Sequence, residues 1–326
     1  MTTPYTPRLS FVVVARNDDY GGHFLERMQI FLDNLIKLGG ELKLQAELII
    51  VEWNPPADRP RLRQVLQMPK LPGSITLRII EVPREMHASL PNSDRIPLFE
   101  YLGKNVGVRR ARGEFVMVAN PDVFYNESML HFFSSGKLDL KAFYRVDKYD
   151  VGGVTIPSQG TDSRSVLSLA PKNVIRINNR YGEGILKGEK IWSWRNIRRR
   201  LSYLKQIARH FPFAPPYANA AGDFFLMSRA SWHSLRGYPE MPTHSLMDGY
   251  ICYMAAALGL RQIILPEPLR IYHFEHHHQG TETRPWTDTG PYGERCLTML
   301  KTQKPWIPND ANWGFGDTDL PEVSLS

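Results

Sequence analysis

The stretch EYLGKNVGVRRARGEFVMVANPD, residues 100–122, decides the fold. Its first half reads as an amphipathic helix, with arginines in the last turn where the negative end of a helix dipole favours cations, and Gly113 stops it. FVMVA, residues 115–119, is a short apolar run of buried-strand type, and an acid, Asp122, follows it. In an open α/β sheet, ligands bind beyond the carboxyl ends of the strands. Asp122 therefore falls where a metal ion or a polyphosphate is held. An aspartate after a proline is also an ordinary turn and capping residue, and both readings stand at this point.

Working outward, LSFVVVA at 9–15 is a buried strand, and residues 23–38 place Phe24, Met28, Phe31, Leu32, Leu35 and Leu38 on one helical face. Residues 48–52 are a second strand, 62–66 a short helix, 75–82 a third strand, 96–112 the helix of the opening stretch and 115–119 a fourth strand. Further on, 142–147, 223–228, 261–265 and 270–274 read as strands, and 231–235 and 247–258 as helices. Strands alternating with helices imply a mostly parallel sheet built from right-handed crossovers. The loop ARNDDYGG at 15–22 is not G-x-G-x-x-G, so NAD is not expected.

The 326 residues suit one large α/β domain with additions. No apolar run approaches the roughly 20 residues that span a bilayer, and MTTPYTPRLS is not a secretory signal. The expectation is a cytoplasmic protein, at most resting on the inner face of the membrane. The two cysteines, Cys252 and Cys296, exclude a disulfide framework and show no metal-type spacing. The net charge of +7 is uneven: residues 160–215 hold twelve Lys or Arg against three Asp or Glu, and the remainder is slightly acidic. The basic character belongs to one segment and does not indicate a general affinity for nucleic acid.

Five segments, FVVVARND (11–18), ELIIVEWNPP (47–56), KNVGVRRARGEFVMVANPD (104–122), GDFFLMSRASWHSLRGYPE (222–240) and LMDGYICYMAAALGL (246–260), together resemble GT-A glycosyltransferases of the family-2-like group. The resemblance spans residues 9–122 and 218–275. It implies an α/β, Rossmann-like GT-A fold: a mostly parallel central sheet flanked by helices, with a smaller acceptor-side sheet. It divides the chain into a nucleotide-sugar-binding part (1–157), a basic helical insertion (158–215), an acceptor and catalytic part (216–278) and an irregular cover (279–326). Two departures from the family pattern stand out. The D-x-D motif is Asn120-Pro121-Asp122 here, which weakens metal dependence, and the helix with the catalytic base opens on Met247-Asp248 where Glu-Asp is commoner.

What the resemblance implies for the site follows residue by residue. Asp122 is the carboxylate ligand of a divalent cation, Mn²⁺ or Mg²⁺, beside the departing phosphates. His273, at the end of a late strand, is a further ligand, with His276 the second choice in the cluster 276–278; the bland alternative is a packed histidine. Asn120 meets the ribose or a metal-bound water. Asp248 is the general base, or simply a helix cap, and Asp223 is the rival carboxylate. Ala15, Arg16, Asn17 and Glu52 border the nucleoside. Lys104, Asn105 and Arg109 lie on the helix before the metal strand, with Asn105 and Arg109 on one face by i, i+4 spacing.

In the basic segment, Trp194, Ile197, Leu201, Leu204, Ala208 and Phe211 form a stripe with spacings of three and four. Such a stripe normally packs on its own domain, and that is expected here. The other reading is peripheral contact of residues 190–211 with an anionic membrane, with Trp192 and Trp194 at the interface. No nucleic-acid partner is expected. The function expected is transfer of a sugar from a nucleotide-diphosphate donor, a UDP-sugar, to a hydroxyl of a glycan or lipid-linked acceptor, with inversion. A catalytically silent carbohydrate-binding or scaffold protein and a nucleotidyltransferase are the alternatives.

Overall fold

LSFVVVA forms the central strand β1 (Leu9–Ala15), and every residue of it is buried. The continuous apolar run is explained by its neighbours. Phe11 and Val13 enter one hydrophobic core, and Val12 and Val14 enter a second core on the opposite face of the sheet. The computed structural model describes residues 7–152, 163–186, 194–210, 214–241, 247–276 and 292–325.

The other strands are β2 (Ala46–Trp53), β3 (Ile75–Val82), β4 (Phe115–Ala119), β5 (Val123–Tyr125), β6 (Ala142–Arg145), β7 (Lys148–Val151), β8 (Val174–Asn179), β9 (Gly182–Leu186), β10 (Phe224–Ser228), β11 (Arg261–Ile264), β12 (Ile271–Phe274) and β13 (Glu322–Leu325). Among the described residues they form an eight-stranded sheet, β11-β6-β10-β4-β1-β2-β3-β13, and a five-stranded sheet, β5-β12-β7-β8-β9. In the large sheet β2, β3 and β4 run parallel to the β1 direction and β11 runs parallel to β6, while β10 and β13 pair antiparallel. This is the expected α/β class: a large, mostly parallel sheet flanked by helices, with a smaller second sheet.

Several elements differ from the sequence reading. The helix expected over 96–112 is Glu100–Arg110; Pro97 disfavours helical geometry in its predecessor and delays the start. It is also not amphipathic, since residues from Tyr101 to Val108, with Leu102 the exception, are buried. One side lies on the sheet through Gly103 and Gly107. A Cβ at Gly103 would stand 2.8 Å from Val14 Cγ1, and one at Gly107 would stand 2.4 Å from Val12 Cγ1. The other side is covered by residues 309–318, whose carbonyls at Gly314, Phe315 and Thr318 accept from the Arg110 guanidinium.

The strand expected over 142–147 ends at Arg145 as β6, and β7, which the sequence reading lacks, follows it into the other sheet. The span 158–215 is not only helical, because β8 and β9 extend the second sheet from β7. The span 279–326 is not irregular throughout: it holds the helix Tyr292–Thr302 and β13, which covers the β3 edge with Arg78 gripping Glu322 through Nε and Nη2.

The first helix ends in a π-helical turn, Asn34–Leu38. Asn34 there donates to Tyr125 O at 3.0 Å and accepts from Tyr125 N at 2.8 Å, standing in as a strand partner for β5. The helix Trp194–His210 reverses the expected packing. Arg199, Tyr203 and Ile207 are half-buried, whereas Trp194, Leu201, Leu204 and Ala208 of the apolar stripe are exposed and Ile197 of that stripe is half-buried. Phe211, Trp192, His277 and His278 lie outside the described residues.

Candidate active site

Strand register builds the first half of the site. His273 on β12 sits opposite Asp150 on β7 and opposite Val123 on β5, so Asp122, one residue before β5, lies beside both. His273 Nδ1 is 3.0 Å from Asp150 Oδ1, and His273 Nε2 faces Asp122 Oδ1 at 3.7 Å. His276 Nε2 is 3.1 Å from Asp122 Oδ2. Asp122, His273 and His276 thus offer one carboxylate and two imidazole atoms, all within 4.8 Å of one another.

Two observations bear on whether this triad fits a divalent cation. Asp122 Oδ1 is buried without a hydrogen-bond partner, and a buried acceptor left so is costly unless something else satisfies it. The Asp150 contact fixes the His273 ring so that Nε2 is directed at Asp122, the usual support for a metal-binding histidine. The donor set therefore fits a metal ion. Burial alone would raise the Asp122 pKa. His273, His276 and Arg27 outweigh it and hold the carboxyl below the usual carboxylate range. Burial opposes a charge on His273, but Asp122 and the Asp150 hydrogen bond outweigh it and raise its pKa.

The second half of the site lies around Asp223. Its Oδ1 accepts from Asn120 Nδ2 at 2.8 Å and its Oδ2 from Lys148 Nζ at 2.8 Å. Lys148 Nζ also stands 3.3 Å from Asp150. Asn120 Oδ1 accepts from Lys104 Nζ at 2.8 Å, and Lys104 also pairs with Glu100 and donates to Gly222 O at 2.9 Å. The Gly222 N–H donates to Asp248 Oδ2 at 3.1 Å, and the Gly249 N–H to Asp248 Oδ1 at 2.9 Å. Asp248 lies in the first turn of the helix Met247–Ala257.

The environments of the two acids diverge. Burial, then the nearby Glu100 charge, raises the Asp248 pKa above the usual value. Burial acts the same way on Asp223, but Lys148 and His273 outweigh it and the net shift is downward. Such a divergence separates a proton acceptor from a carboxylate that stays ionised.

The residues expected to border the nucleoside have mixed fates. Ala15 and Glu52 pair across the carboxyl ends of β1 and β2. Glu52 accepts from the Leu62 N–H at 2.9 Å, and burial raises its pKa. Arg16 holds Asp18 and the Asn54 carbonyl, and Asn17 donates to the Pro60 carbonyl. Asn105 and Arg109 do share a helical face, but that face meets another part of the chain. Asn105 donates to Tyr238 O and Glu240 Oε1 and accepts from Tyr238 N, while Arg109 donates to Ala311 O and lies over the Trp313 ring. Both ends of the Asn105 amide are engaged inside the protein, tying its helix to residues 238–240. Arg109 is likewise tied to the cover.

Sequence reasoning missed Arg27, Lys148, Asp150 and Glu100. Arg27 Nη1 donates to Asp122 Oδ2 at 2.5 Å, and Arg27 is wholly buried. A signal for it exists: Arg27 lies three residues after Phe24 and four before Phe31, on the buried face, and a buried charge demands a partner. Lys148 and Asp150 alternate along one strand and so point the same way.

No protein-family model and no curated protein matches the chain. Solved structures of similar layout include the mannosyltransferase PcManGT from Pyrobaculum calidifontis in complex with GDP-Man and Mn²⁺, at 14% identity and TM-score 0.43, covering 85% of this chain and 59% of that one. GalNAc-T7 with UDP, GalNAc and Mn²⁺ is similar at 14% identity and TM-score 0.48, covering 91% and 48%. TarS of S. aureus, residues 1–349, is similar at 14% identity and TM-score 0.43, covering 82% and 60%. The chain thus spans about half to three-fifths of the length of these structures.

Proposed function

We propose that this chain transfers a sugar from a nucleotide-diphosphate donor, a UDP-sugar, to a hydroxyl of a glycan or glycoconjugate. One observation carries the reading. Asp122 and Asp248 are joined by an unbroken series of polar contacts through His273, Asp150, Lys148, Asp223, Asn120, Lys104 and Gly222. A metal-type triad at one end and a basic carboxylate at the other suit a reaction with a charged leaving group and an alcohol nucleophile.

Asp122, His273 and His276 would hold the cation, and the two imidazoles favour Mn²⁺ over Mg²⁺, which prefers oxygen ligands. When bound, such an ion neutralises charge gathering on the departing diphosphate. Asp248 takes the acceptor proton as its oxygen bonds to the anomeric carbon and the bond from that carbon to the phosphate oxygen breaks. Attack opposite the leaving group inverts the anomeric centre. Asp223, held ionised by Lys148, orients hydroxyls. Ala15, Arg16, Asn17 and Glu52 border the nucleoside at the ends of β1 and β2.

The silent alternative draws on Asn120 and Arg27, which supply an amide and a guanidinium where a metal site would carry further ligands. A panel of nucleotide sugars incubated with and without Mn²⁺ tests the reading. Release of nucleoside diphosphate, abolished in Asp248→Asn while nucleotide still binds, supports transfer. Binding without release across the panel supports a silent carbohydrate-binding protein. Pyrophosphate release from a nucleoside triphosphate and a sugar phosphate supports a nucleotidyltransferase.

A further inference from the structure

The helix Trp194–His210 carries six Lys or Arg and no Asp or Glu. It rests on the rest of the protein through one side. Tyr203 packs edge-on against Tyr181 at 5.5 Å between ring centroids, Arg200 lies over the same ring at 5.2 Å, and Arg199 and Ile207 are half-buried. At 100° per residue, that side is separate from the stripe of Trp194, Leu201, Leu204 and Ala208. These four residues face outward, Trp194 being 79% exposed, Leu201 57% and Leu204 58%, while Ile197 between them is half-buried. Arg198 and Lys205 are exposed beside it, at the turns that flank Leu201.

An exposed indole and two exposed leucines in line, bordered by cations, are what an interfacial helix presents to a bilayer. Trp194, Arg198, Arg199 and Ser202 line a shallow recess of about 370 Å³ on this helix. Leucines contribute nothing to a phosphate backbone, so the apolar stripe separates this surface from an RNA-binding one. We infer that the helix Trp194–His210 docks the protein on an anionic phospholipid surface, with Trp194, Leu201 and Leu204 entering the acyl boundary and Arg198 and Lys205 meeting lipid phosphates. The inference does not depend on the transfer reading.

Sedimentation of the full chain with phosphatidylcholine vesicles, with and without phosphatidylglycerol, tests it. The expected result is binding that requires phosphatidylglycerol and weakens with salt. Leu201→Glu with Leu204→Glu should lower the partition by roughly tenfold or more, and so should Arg198→Glu with Lys205→Glu. All four positions are exposed, so an unchanged thermal melt confirms that each variant folds. Absence of binding to phosphatidylglycerol vesicles, or equal binding by the leucine variant, overturns the inference. So does tight binding to single-stranded RNA that is lost in the charge variant and kept in the leucine variant.

Discussion

Arg27 and Asp122, 95 positions apart in the chain, meet in a buried ion pair with Nη1 2.5 Å from Oδ2. A side chain of the first helix thereby holds the carboxylate of the proposed metal site. Removing one partner of a buried pair leaves the other charge uncompensated, at a cost of about 3–5 kcal/mol. Arg27→Met should lose stability on that scale in urea titrations, and Mn²⁺ should stabilise the variant more than the parent. A loss below about 1 kcal/mol would mean that the pair is screened by solvent.

Asp150 touches His273 and stands one contact away from the proposed ion. Asp150→Asn should weaken Mn²⁺ binding by about 10- to 100-fold in calorimetry. His273→Ala should abolish it. Unchanged affinity in both variants would place the ion elsewhere.

The acid limb of the rate profile should reflect Asp248. Burial and Glu100 raise its pKa, so activity should fall at a pH above the ordinary carboxylate range. Glu100→Gln removes the second cause and should move the limb to lower pH. Asp223, whose pKa is lowered, should leave that limb in place when changed to Asn. A limb that follows Asp223 would reverse the two roles.

Asn105→Ala should act on stability and spare the nucleotide. The change removes the acceptor of the Tyr238 N–H, while the Tyr238 carbonyl keeps Asn309 Nδ2 and Glu240 Oε1 keeps the Gly314 N–H, and one buried group left unsatisfied costs about 1–3 kcal/mol. Chemical denaturation and nucleotide titration on the same sample separate the effects. Loss of nucleotide affinity in a stable variant would restore Asn105 to the donor site.

Asp147 sets a pH dependence of folding. Burial is the main cause that lifts its carboxyl to about 6 from 3.8. The folded protein therefore binds this proton more tightly than the unfolded chain. Its stabilising contribution is full below 3.8 and is lost as pH rises through about 6. Asp147→Asn should match the parent in acid, and its melting temperature should pull ahead across that window. A constant difference at every pH would contradict this.

The parallel strands and the helix before Asp122 were legible because both faces of the sheet are buried, so β1 and β4 read as unbroken apolar runs. Asp122, His273 and Asp248 were legible as acids or imidazoles at element ends. Arg27, Lys148 and Asp150 were not. Lys148 and Asp150 lie on a strand too short for its alternation to signal a function, and their meaning depends on a register with β12 across more than a hundred residues of chain. The surroundings of Asn105 were not legible for a related reason. Helical spacing told which residues share a face, but not that residues 309–316 would cover it. The outward stripe of Trp194–His210 stood only as the second reading because its spacing is the same whether protein, lipid or water lies against it.

Gly103 and Gly107 leave no room for even one added methyl group between their helix and β1. Lys104, between them, reaches Asn120 and Gly222 from a backbone whose height above the sheet is thereby set. Anyone redesigning the proposed donor site for a bulkier sugar nucleotide would have little freedom to lift that helix. The extra volume would have to be carved from the strands and loops that bear Asp223 and Asp248.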